Sequence, residues 1–386
     1  MSVTPRADTL TPAGSRVLSL DDDPAVAAAR RASVPPVRWI VSPRYDLTFF
    51  IGSCVLTFLF FGLYRVAHNF GFILRGDSIL ITYFLFTALL DHPHIFQTFS
   101  RTHYDKAEFA KRRTLYTWGL GGFIAAGFVF LALGWEAYLI VGAAIYGTWH
   151  IIRQHYGFLK IYKGLNDDRA PLDNVLDAAA FYTGMFSCFF YDYGDTNGPL
   201  VVYGDLKVTV PNVPGEWGEW GWNLFLVLIT LVVFRQVWRA ATGRRVNVPK
   251  LLLMASSLGT HYFIFFATAT PFLVAEALET AYHDAQYQGW VMHYQRKRFP
   301  DVKRVALKWL GLGLLYGLIV GVVEILGLMR PGSWAMWLFV PFTMVVIFHY
   351  YVDGLIWRMR DDPSLRDLLR SSGAPSAPIK ETSLPG

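Results

Sequence analysis

The chain alternates long apolar segments with short polar ones, and the apolar segments set its architecture. A helix needs about 20 mostly apolar residues to cross the hydrocarbon core of a bilayer. Segments of about this length recur along the sequence and predict an all-α, polytopic integral membrane helical bundle of about ten transmembrane helices. The predicted helices cover residues 47–66, 79–97, 116–134, 138–160, 174–191, 222–239, 250–270, 272–293, 305–328 and 335–357.

Polar sequence flanks this helical region at both ends. Residues 1–46 and 359–386 are rich in polar residues and proline, and we predict flexible cytoplasmic tails around a transmembrane domain at 47–358. The longest polar connection within that domain is the predicted outside loop at 191–221. Its alternating segment LKVTV predicts a short strand or hairpin, which we interpret as part of a lid on the outer surface.

The composition agrees with a membrane protein rather than a soluble domain. Of the 386 residues, 53% are hydrophobic and 17% are charged, whereas a soluble domain carries about 25% charged residues. The net charge of +6 requires no nucleic-acid partner, because basic loops are attracted to anionic membrane lipids. Cys54 and Cys188 form no CxxC pattern, which argues against an iron–sulfur or structural zinc site.

Basic residues are distributed unevenly between alternate loops of the predicted bundle. Loops rich in Lys and Arg stay on the cytoplasmic side of the membrane. We therefore expect both termini in the cytoplasm and the protein in the bacterial inner membrane. Of the 35 Lys and Arg residues, those outside the predicted inside segments are Arg65, Arg75, Arg153, Lys207 and Arg330.

Most histidines lie in or just beyond the cytoplasmic halves of four predicted helices. Ionisable side chains at membrane depth are unfavourable unless they face one another or a cavity, so we predict one shared polar site. Because neutral imidazole is the commonest protein metal ligand, the predicted metal ligands are His92, His94, His150, His155, His283, His349 and Asp353. His103 and His293 lie at the edge of this site, and we interpret His68 and His261 as structural.

Spacing along the helices refines the predicted site. His349 and Asp353 are four residues apart and therefore share a helix face. His150 and His155 are five residues apart, which is about 140° around a helix of 3.6 residues per turn. These two side chains therefore cannot both point straight at one ion without a local distortion of the helix.

The segment DHPH carries a proline between two of the predicted ligands. Proline disfavours helical geometry at the residue before it and lacks a backbone donor. The proline could therefore end the second helix before residue 97 and turn His92 and His94 toward a common point.

Three polar side chains accompany the histidines as candidate catalytic residues, namely Arg153, Gln154 and Gln286. Arg153 lies inside a predicted helix, and the interpretation that we favour is an ion pair with Asp91 or Asp353. The alternative is that its guanidinium binds an anionic headgroup or a substrate carboxylate. Nearby aromatic residues suit an apolar substrate that enters from the bilayer, namely Trp149, Tyr156, Tyr287, Trp290, Tyr350 and Trp357.

The histidine segments resemble those of one broad class of membrane enzymes. HPH, WHIIRQH, HDAQYQGWVMH and HYYVD are similar to the motifs of histidine-rich integral-membrane oxygenases, which include fatty-acid desaturases and hydroxylases and bacterial carotene-cleaving dioxygenases. The resemblance implies non-haem iron that oxygenates, hydroxylates or desaturates a lipid or isoprenoid. Desaturases carry HxxxH and HxxHH boxes, and this sequence has no HH pair. The resemblance to the carotene-cleaving class implies instead a mononuclear site with histidines from separate helices, which fits better. Without a nucleotide-binding fingerprint, a cycle that consumes electrons requires a separate electron donor.

Other functions use the same residues. A haem-binding electron-transfer protein needs paired histidines on facing helices, which His150 or His155 could form with His283. A proton-coupled transporter would use the His, Asp and Arg groups as a relay. A metal-free lipid transferase would use one histidine as a general base. The sequence does not identify the substrate or distinguish oxygenation, desaturation and cleavage.

Overall fold

The protein is mostly helical, as its apolar segments predict. The computed structural model describes residues 36–70, 77–194, 198–210, 212–330 and 333–370. The predicted tails 1–46 and 359–386 lie mostly outside these ranges, apart from their inner ends. In the second of them the structure has a short helix at Pro363–Arg370.

Each of the predicted segments coincides with a long helix, and two short helices lie between or after them. The helices in chain order are α1 (Pro43–Phe70), α2 (Ser78–Tyr104), α3 (Lys106–Lys111), α4 (Leu115–Ala132), α5 (Glu136–Leu165), α6 (Pro171–Asp192), α7 (Glu216–Ala241), α8 (Val248–Ala267), α9 (Phe272–Arg298), α10 (Val305–Met329), α11 (Trp334–Ile356) and α12 (Pro363–Arg370).

Within the described ranges, seven helices are long and apolar enough to cross a membrane, namely α1, α2, α4, α7, α8, α10 and α11. This result supports an integral membrane protein. The remaining long helices, α5, α6 and α9, carry too many polar residues to meet the same requirement by composition. The total number of spans and the cytoplasmic location of the termini therefore stay predictions.

Helix α9 is the central helix of the bundle. It is buried almost continuously from Leu273 to Gln295, including Glu279, His283 and Asp284. It packs against α1, α2, α5 and α10. Because other helices cover α9 on all sides, its polar residues need not be compatible with lipid, which explains its low apolar content.

The outer helices present the apolar surface of the bundle. Helices α7 and α10 expose many large hydrophobic side chains, including Leu224, Leu231 and Phe234 on α7 and Leu315 and Ile319 on α10. Exposed apolar area of this extent in a soluble monomer would mark an interaction site. On a membrane protein it is the surface that faces the lipid chains.

Helix α2 continues through the proline that the sequence predicts to end it. A wide π-helical turn at Thr87–Asp91 comes directly before the α-helical segment His92–Phe99, which contains Pro93. A π-helical turn adds a residue to the helix and shifts the backbone hydrogen bonds. The helix thereby accommodates a residue without an N–H group, so α2 continues past His92 and does not end at the proline.

The predicted outside loop contains an antiparallel hairpin. Its strands are β1 (Leu200–Tyr203) and β2 (Leu206–Val208), at the position where LKVTV predicts a strand. The hairpin packs against α9 through β1 and against α5 through β2. It therefore joins two of the helices that carry the predicted ligands.

Candidate metal centre

Four histidines from four helices form a closed ring in the interior of the bundle. His94 lies on α2, His150 on α5, His283 on α9 and His349 on α11, and all four are buried. Neighbouring imidazole centres are 5.4 Å apart for His94 and His283, 4.9 Å for His283 and His150, 5.0 Å for His150 and His349, and 4.9 Å for His349 and His94. The predicted shared histidine site is therefore present geometrically, and we call these residues the histidine ring.

The imidazole nitrogens of the ring lack protein partners at its centre. In the described part of the chain, no hydrogen bond reaches Nε2 of His94, His150 or His349, or either nitrogen of His283. A buried polar atom without a partner is destabilising by about 1–3 kcal/mol, so such atoms require an explanation. A metal ion that accepts such lone pairs is one explanation that the spacing of these residues allows.

Two overlapping groups within this region have the spacing of metal ligands. His94, His283 and His349 offer ligand atoms within 4.8 Å of one another, and so do His150, His349 and Asp353. The second group combines two histidines with one carboxylate, a combination that suits iron with open positions for dioxygen.

A chain of hydrogen bonds fixes the protonation of His349. The Tyr287 hydroxyl donates to Oδ1 of Asp353 at 2.8 Å, so it accepts the hydrogen of Thr98, whose oxygen lies 2.8 Å away. The Thr98 oxygen then accepts from Nδ1–H of His349 at 2.6 Å. With its hydrogen on Nδ1, His349 presents the lone pair of Nε2, as a metal ligand requires.

Two carboxylates flank His94 on the side away from its unpartnered Nε2. Oδ1 of Asp284 lies 2.9 Å from Nδ1 of His94, and Oδ1 of Asp91 lies 3.7 Å from it. The closer contact has the distance of an ion pair but not the alignment of a hydrogen bond. These three residues also form a group with ligand spacing, and a carboxylate behind a ligating histidine orients its ring.

His92, a predicted ligand, lies apart from the ring. Its Nε2 contacts Oε2 of Glu324 on α10 at 3.0 Å, and the Tyr83 hydroxyl donates to the other oxygen of Glu324 at 3.1 Å. Because α2 stays helical through Pro93, His92 and His94 point to different neighbours. The structure therefore does not bring these two histidines to the common point that DHPH predicts.

His155, another predicted ligand, lies beyond the ring. Its imidazole centre is 6.4 Å from that of His283, 5.8 Å from that of His261 and 4.9 Å from the ring of Tyr282. His150, five residues earlier, faces the ring instead. This arrangement agrees with the 140° that separates the two positions on one helix.

The two predicted glutamines brace the helices that carry the ring. The amide nitrogen of Gln154 donates to the carbonyl of His283 at 2.9 Å and lies 3.4 Å from the side-chain oxygen of Gln286. Gln286 donates to the carbonyl of Phe50 at 2.6 Å. Both side chains thus bind backbone groups and tie α5 and α1 to α9.

Arg153 is not in the ion pair that the sequence favours. Its Nη1 donates to the Tyr182 hydroxyl at 2.8 Å, and the guanidinium lies over the ring of Trp149. No carboxylate oxygen of the described residues lies within the 4.0 Å of an ion pair. Asp91 and Asp353 face His94 and Tyr287 instead.

The two histidines at the edge of the predicted site contact other groups. His103 contacts the Thr102 hydroxyl at 2.9 Å and the carbonyl of Tyr116 at 3.2 Å. Nε2 of His293 lies 3.5 Å from the carbonyl of Leu369 on α12. Neither belongs to a group with ligand spacing in the described ranges.

A cavity of about 550 Å³ adjoins the histidine ring. His150 and Asp353 form part of its wall, together with Trp149, Tyr287, Trp290, Tyr350 and Trp357. Five of the six aromatic residues that the sequence associates with the site therefore line this cavity. The sixth, Tyr156, packs on Tyr182, with ring centres 4.7 Å apart.

An ionic network outside the membrane segments fixes the ends of α2 and α9. Asp105, directly after α2, accepts hydrogen bonds from Arg298 at 2.8 and 2.9 Å and from Arg101 at 3.0 Å. Burial by itself raises the pKa of Asp105, but hydrogen bonds from Arg298 and Tyr294 outweigh it and hold the pKa below its ordinary value. The network thereby connects the helices of His94 and His283.

Sequence reasoning missed Thr98 and Glu324 and assigned Tyr287 only to the aromatic surroundings, although the sequence contains a signal for each. Thr98 follows His94 by four residues and Tyr287 follows His283 by four, so each shares a face with a predicted ligand. Glu324 is an acidic residue in the interior of an otherwise strongly apolar segment. Such a residue marks a functional or paired position.

The comparisons with known proteins give no relative. No protein-family model, curated protein or solved structure matches this chain. The resemblance to membrane oxygenases therefore depends on the histidine segments of the sequence.

Proposed function

We propose that this protein is a membrane-embedded, non-haem iron-dependent oxidoreductase that oxygenates, hydroxylates or desaturates a lipid or isoprenoid. The observation that carries the proposal is the closed ring of His94, His150, His283 and His349, in which each imidazole has at least one nitrogen without a protein partner. The group of two histidines and Asp353 favours iron among the metals that bind imidazole.

The side chains around the ring have distinct parts in this proposal. Iron bound by the ring would supply activation of dioxygen. Thr98 keeps a proton on Nδ1 of His349, and Asp284 orients the ring of His94 from the opposite side. The Tyr287 hydroxyl holds a proton against Asp353 at the cavity wall. The aromatic wall excludes water and binds an apolar chain, which limits side reactions of the oxidant.

The remaining parts of the proposal concern location and partners. We infer the bacterial inner membrane and cytoplasmic termini from the excess of Lys and Arg in alternate loops. Membrane lipids are then the immediate surroundings and a source of substrate. A cycle that consumes electrons would take them from a separate donor protein, since the chain has no nucleotide-binding fingerprint.

The spacing of the ring favours a single ion over haem. A haem needs a flat space for its macrocycle between two axial ligands. Neighbouring imidazole centres of the ring are at most 5.4 Å apart. The ring therefore leaves no flat space between its histidines that is wide enough for a macrocycle. The ring residues instead belong to two compact groups with ligand spacing, which share His349.

A proton-coupled transporter is the second candidate, and one observation favours it. Glu324, His92, Asp91 and Asp284 form a row of ionisable groups beside the ring, in which Asp91 is partly exposed and the others are buried. The contacts are 3.0 Å between His92 and Glu324 and 3.8 Å between His92 and Asp91. Ionisable groups at membrane depth commonly form proton relays. A proton flux without metal would favour this function.

Metal analysis and absorption spectroscopy test the proposal. The wild-type protein and the double variant His150→Ala, His349→Ala would be purified in detergent, reconstituted with ferrous iron without oxygen, and freed of unbound metal. We expect near-stoichiometric iron and no Soret band in the wild type, and loss of the iron in the double variant. His68→Ala is the control, because His68 is exposed and far from the ring in sequence.

Three results would contradict the proposal. A Soret band would indicate haem, whereas folded, monodisperse wild-type protein that takes up no metal would indicate a polar relay. Iron binding that survives in the double variant would show that the metal site lies elsewhere. After a positive result, lipids and carotenoids would be supplied under oxygen and the products identified by mass spectrometry.

A further inference from the structure

Two arginines line the cavity beside the histidine ring without a carboxylate partner. Arg153 lies on α5, and Arg358 follows the end of α11. Arg358 donates from Nε to the carbonyl of Gly354, and Arg153 donates to a tyrosine hydroxyl. In the part of the chain that the structure describes, neither guanidinium lies within 4.0 Å of a carboxylate oxygen.

Other arginines near the helix ends are paired. Arg298 binds Asp105 at 2.8 Å, and Arg235 binds Asp173 at 2.8 Å. Neither arginine of this cavity has such a carboxylate within ion-pair distance in the described residues. Arg153 and Arg358 are both exposed, so their charges are open to the surroundings rather than buried. Two exposed guanidinium groups in one cavity wall are available to an external anion.

The cavity lining also contains a carboxylate, which is engaged by another residue. Asp353 is the carboxylate in this lining, and it is 8% exposed and accepts from the Tyr287 hydroxyl. It does not neutralise either arginine. Arg153 is three residues after His150, or about 4.5 Å further along the axis of α5, and Arg358 lies beyond the end of α11, nine residues after His349. Each arginine therefore lies on the C-terminal side of the ring histidine that precedes it.

We propose that this cavity binds an amphiphile with an anionic headgroup, a carboxylate or a phosphate, held by Arg153 and Arg358. The planar guanidinium forms paired hydrogen bonds with either anion. The apolar chain would lie along Trp149 and Trp290 toward the histidine ring, and a volume of about 550 Å³ is in the range of small-ligand sites. Oxidation of the chain rests on the proposed function, whereas binding does not.

Quenching of tryptophan fluorescence measures this binding directly. Trp149, Trp290 and Trp357 line the cavity, and bromine atoms on a bound chain quench nearby indoles. The probes are dibromostearate, its uncharged methyl ester and a brominated lysophosphatidate, titrated into metal-free protein in a neutral detergent. We expect saturable quenching by at least one anionic probe at a concentration tenfold or more below that of the ester, because charged hydrogen bonds are worth roughly a factor of ten each.

Matched variants assign the effect to the two arginines. The double variant Arg153→Gln, Arg358→Gln should weaken binding of the anionic probe roughly tenfold to hundredfold and leave the ester unchanged. Arg360→Gln is the control, because Arg360 is 88% exposed, contacts Asp361 and does not line the cavity. Trp290→Phe should remove part of the saturable quenching, which separates the cavity from tryptophans in contact with detergent.

The outcomes are distinct. Preference for dibromostearate identifies a carboxylate, and preference for the lysophosphatidate identifies a phosphate; either supports the proposal. Equal binding of acid and ester, an unchanged preference in the double variant, or quenching that never saturates would overturn it. The titration uses no metal, so it can show no anion preference even where the histidine ring binds iron. Conversely, it can show anion binding in a protein that binds no iron, so the two proposals fail separately.

Discussion

Gly317 of α10 lies directly against Pro93 of α2, and its missing side chain lets the two helices approach. A Cβ atom at Gly317 would collide with the carbonyl of Ala88 and with the ring of Pro93. Gly313 and Gly321, one turn before and after, face the same helix at contact distance. Small residues at this spacing allow close packing of membrane helices. The position of α2, and with it His94, therefore depends on this glycine face.

Substitution of Gly317 by Ala should destabilise the bundle and disturb the histidine ring. We expect a loss of about 1–3 kcal/mol, as for overpacked cores, together with reduced iron content. Gly311→Ala is the control, since no atom lies within 4 Å of a Cβ at that position; there, helix propensity predicts no loss of stability. Thermal unfolding in detergent, with metal analysis beside it, checks both. Equal behaviour of the two variants would contradict the packing argument.

Removal of the Thr98 hydroxyl should weaken metal binding without unfolding the protein. Thr98→Val keeps the shape but leaves Nδ1 of His349 without its acceptor, so the proton is no longer fixed on that nitrogen. Loss of such a supporting group lowers metal affinity about 10- to 100-fold. Competition with a chelator measures the affinity, and Thr98→Ser, which keeps the hydroxyl, should restore it. An affinity in Thr98→Val equal to that of the wild type would contradict the tautomer assignment.

Substitution of His92 should leave iron binding intact, although the sequence predicts it as a ligand. In the structure His92 contacts Glu324 rather than the ring, so His92→Gln should retain near-stoichiometric iron. Removal of one partner of a buried ion pair is destabilising by about 3–5 kcal/mol, so the variant should unfold at a lower temperature. Metal analysis on the folded fraction tests this. Loss of iron comparable to that in His283→Gln would show that His92 is a ligand.

The ionic network at Asp105 should make stability depend on acidity. The pKa of Asp105 is held below its ordinary value of 3.8, so the folded state is favoured when this carboxyl is ionised. That contribution is fully present above about pH 4 and is lost as the pH falls through the lowered value. Thermal unfolding between pH 7 and pH 3 should show this loss in the wild type.

Asp105→Asn should reduce the stability of the protein at pH 7. It should also make the unfolding temperature depend less on pH at the acidic end of the range. We expect a loss of about 3 kcal/mol, at the lower end for buried ion pairs because Arg298 is 30% exposed. Asp301→Asn is the control, since Asp301 is exposed and lies in the next loop. A profile of Asp105→Asn that remains parallel to that of the wild type would assign the pH dependence to other groups.

The predicted orientation is tested by labelling single cysteines. Lys207 lies in the hairpin and Lys106 begins α3, and both side chains are exposed. In a background without Cys54 and Cys188, a maleimide that does not cross membranes should label Lys207→Cys in intact spheroplasts. It should label Lys106→Cys only after permeabilisation. Labelling of both without permeabilisation would contradict the predicted topology.

Hydropathy along the chain determined where the long helices lie, because a membrane helix must be apolar over its own length. It also indicated that His94, His150, His283 and His349 share one depth. Prediction from local sequence also has errors, because it takes no account of contacts between helices. Pro93 predicted the end of α2, but the π-helical turn at Thr87–Asp91 lets the helix continue. That turn is shaped by packing against α10, which the local sequence of α2 does not contain.

Only the tertiary structure decided which side chains meet. The contacts of His349 with Thr98 and of His92 with Glu324 join residues 251 and 232 positions apart in the chain. Such pairs depend on how each helix is rotated and on which helices surround it. The hydrophobic effect does little to select these contacts, because apolar helices are surrounded by equally apolar lipid. Close packing and buried hydrogen bonds make that choice. The sequence therefore determined the helices and predicted a shared depth for the histidines, whereas packing decided the ring, the cavity and the two arginines without a carboxylate partner.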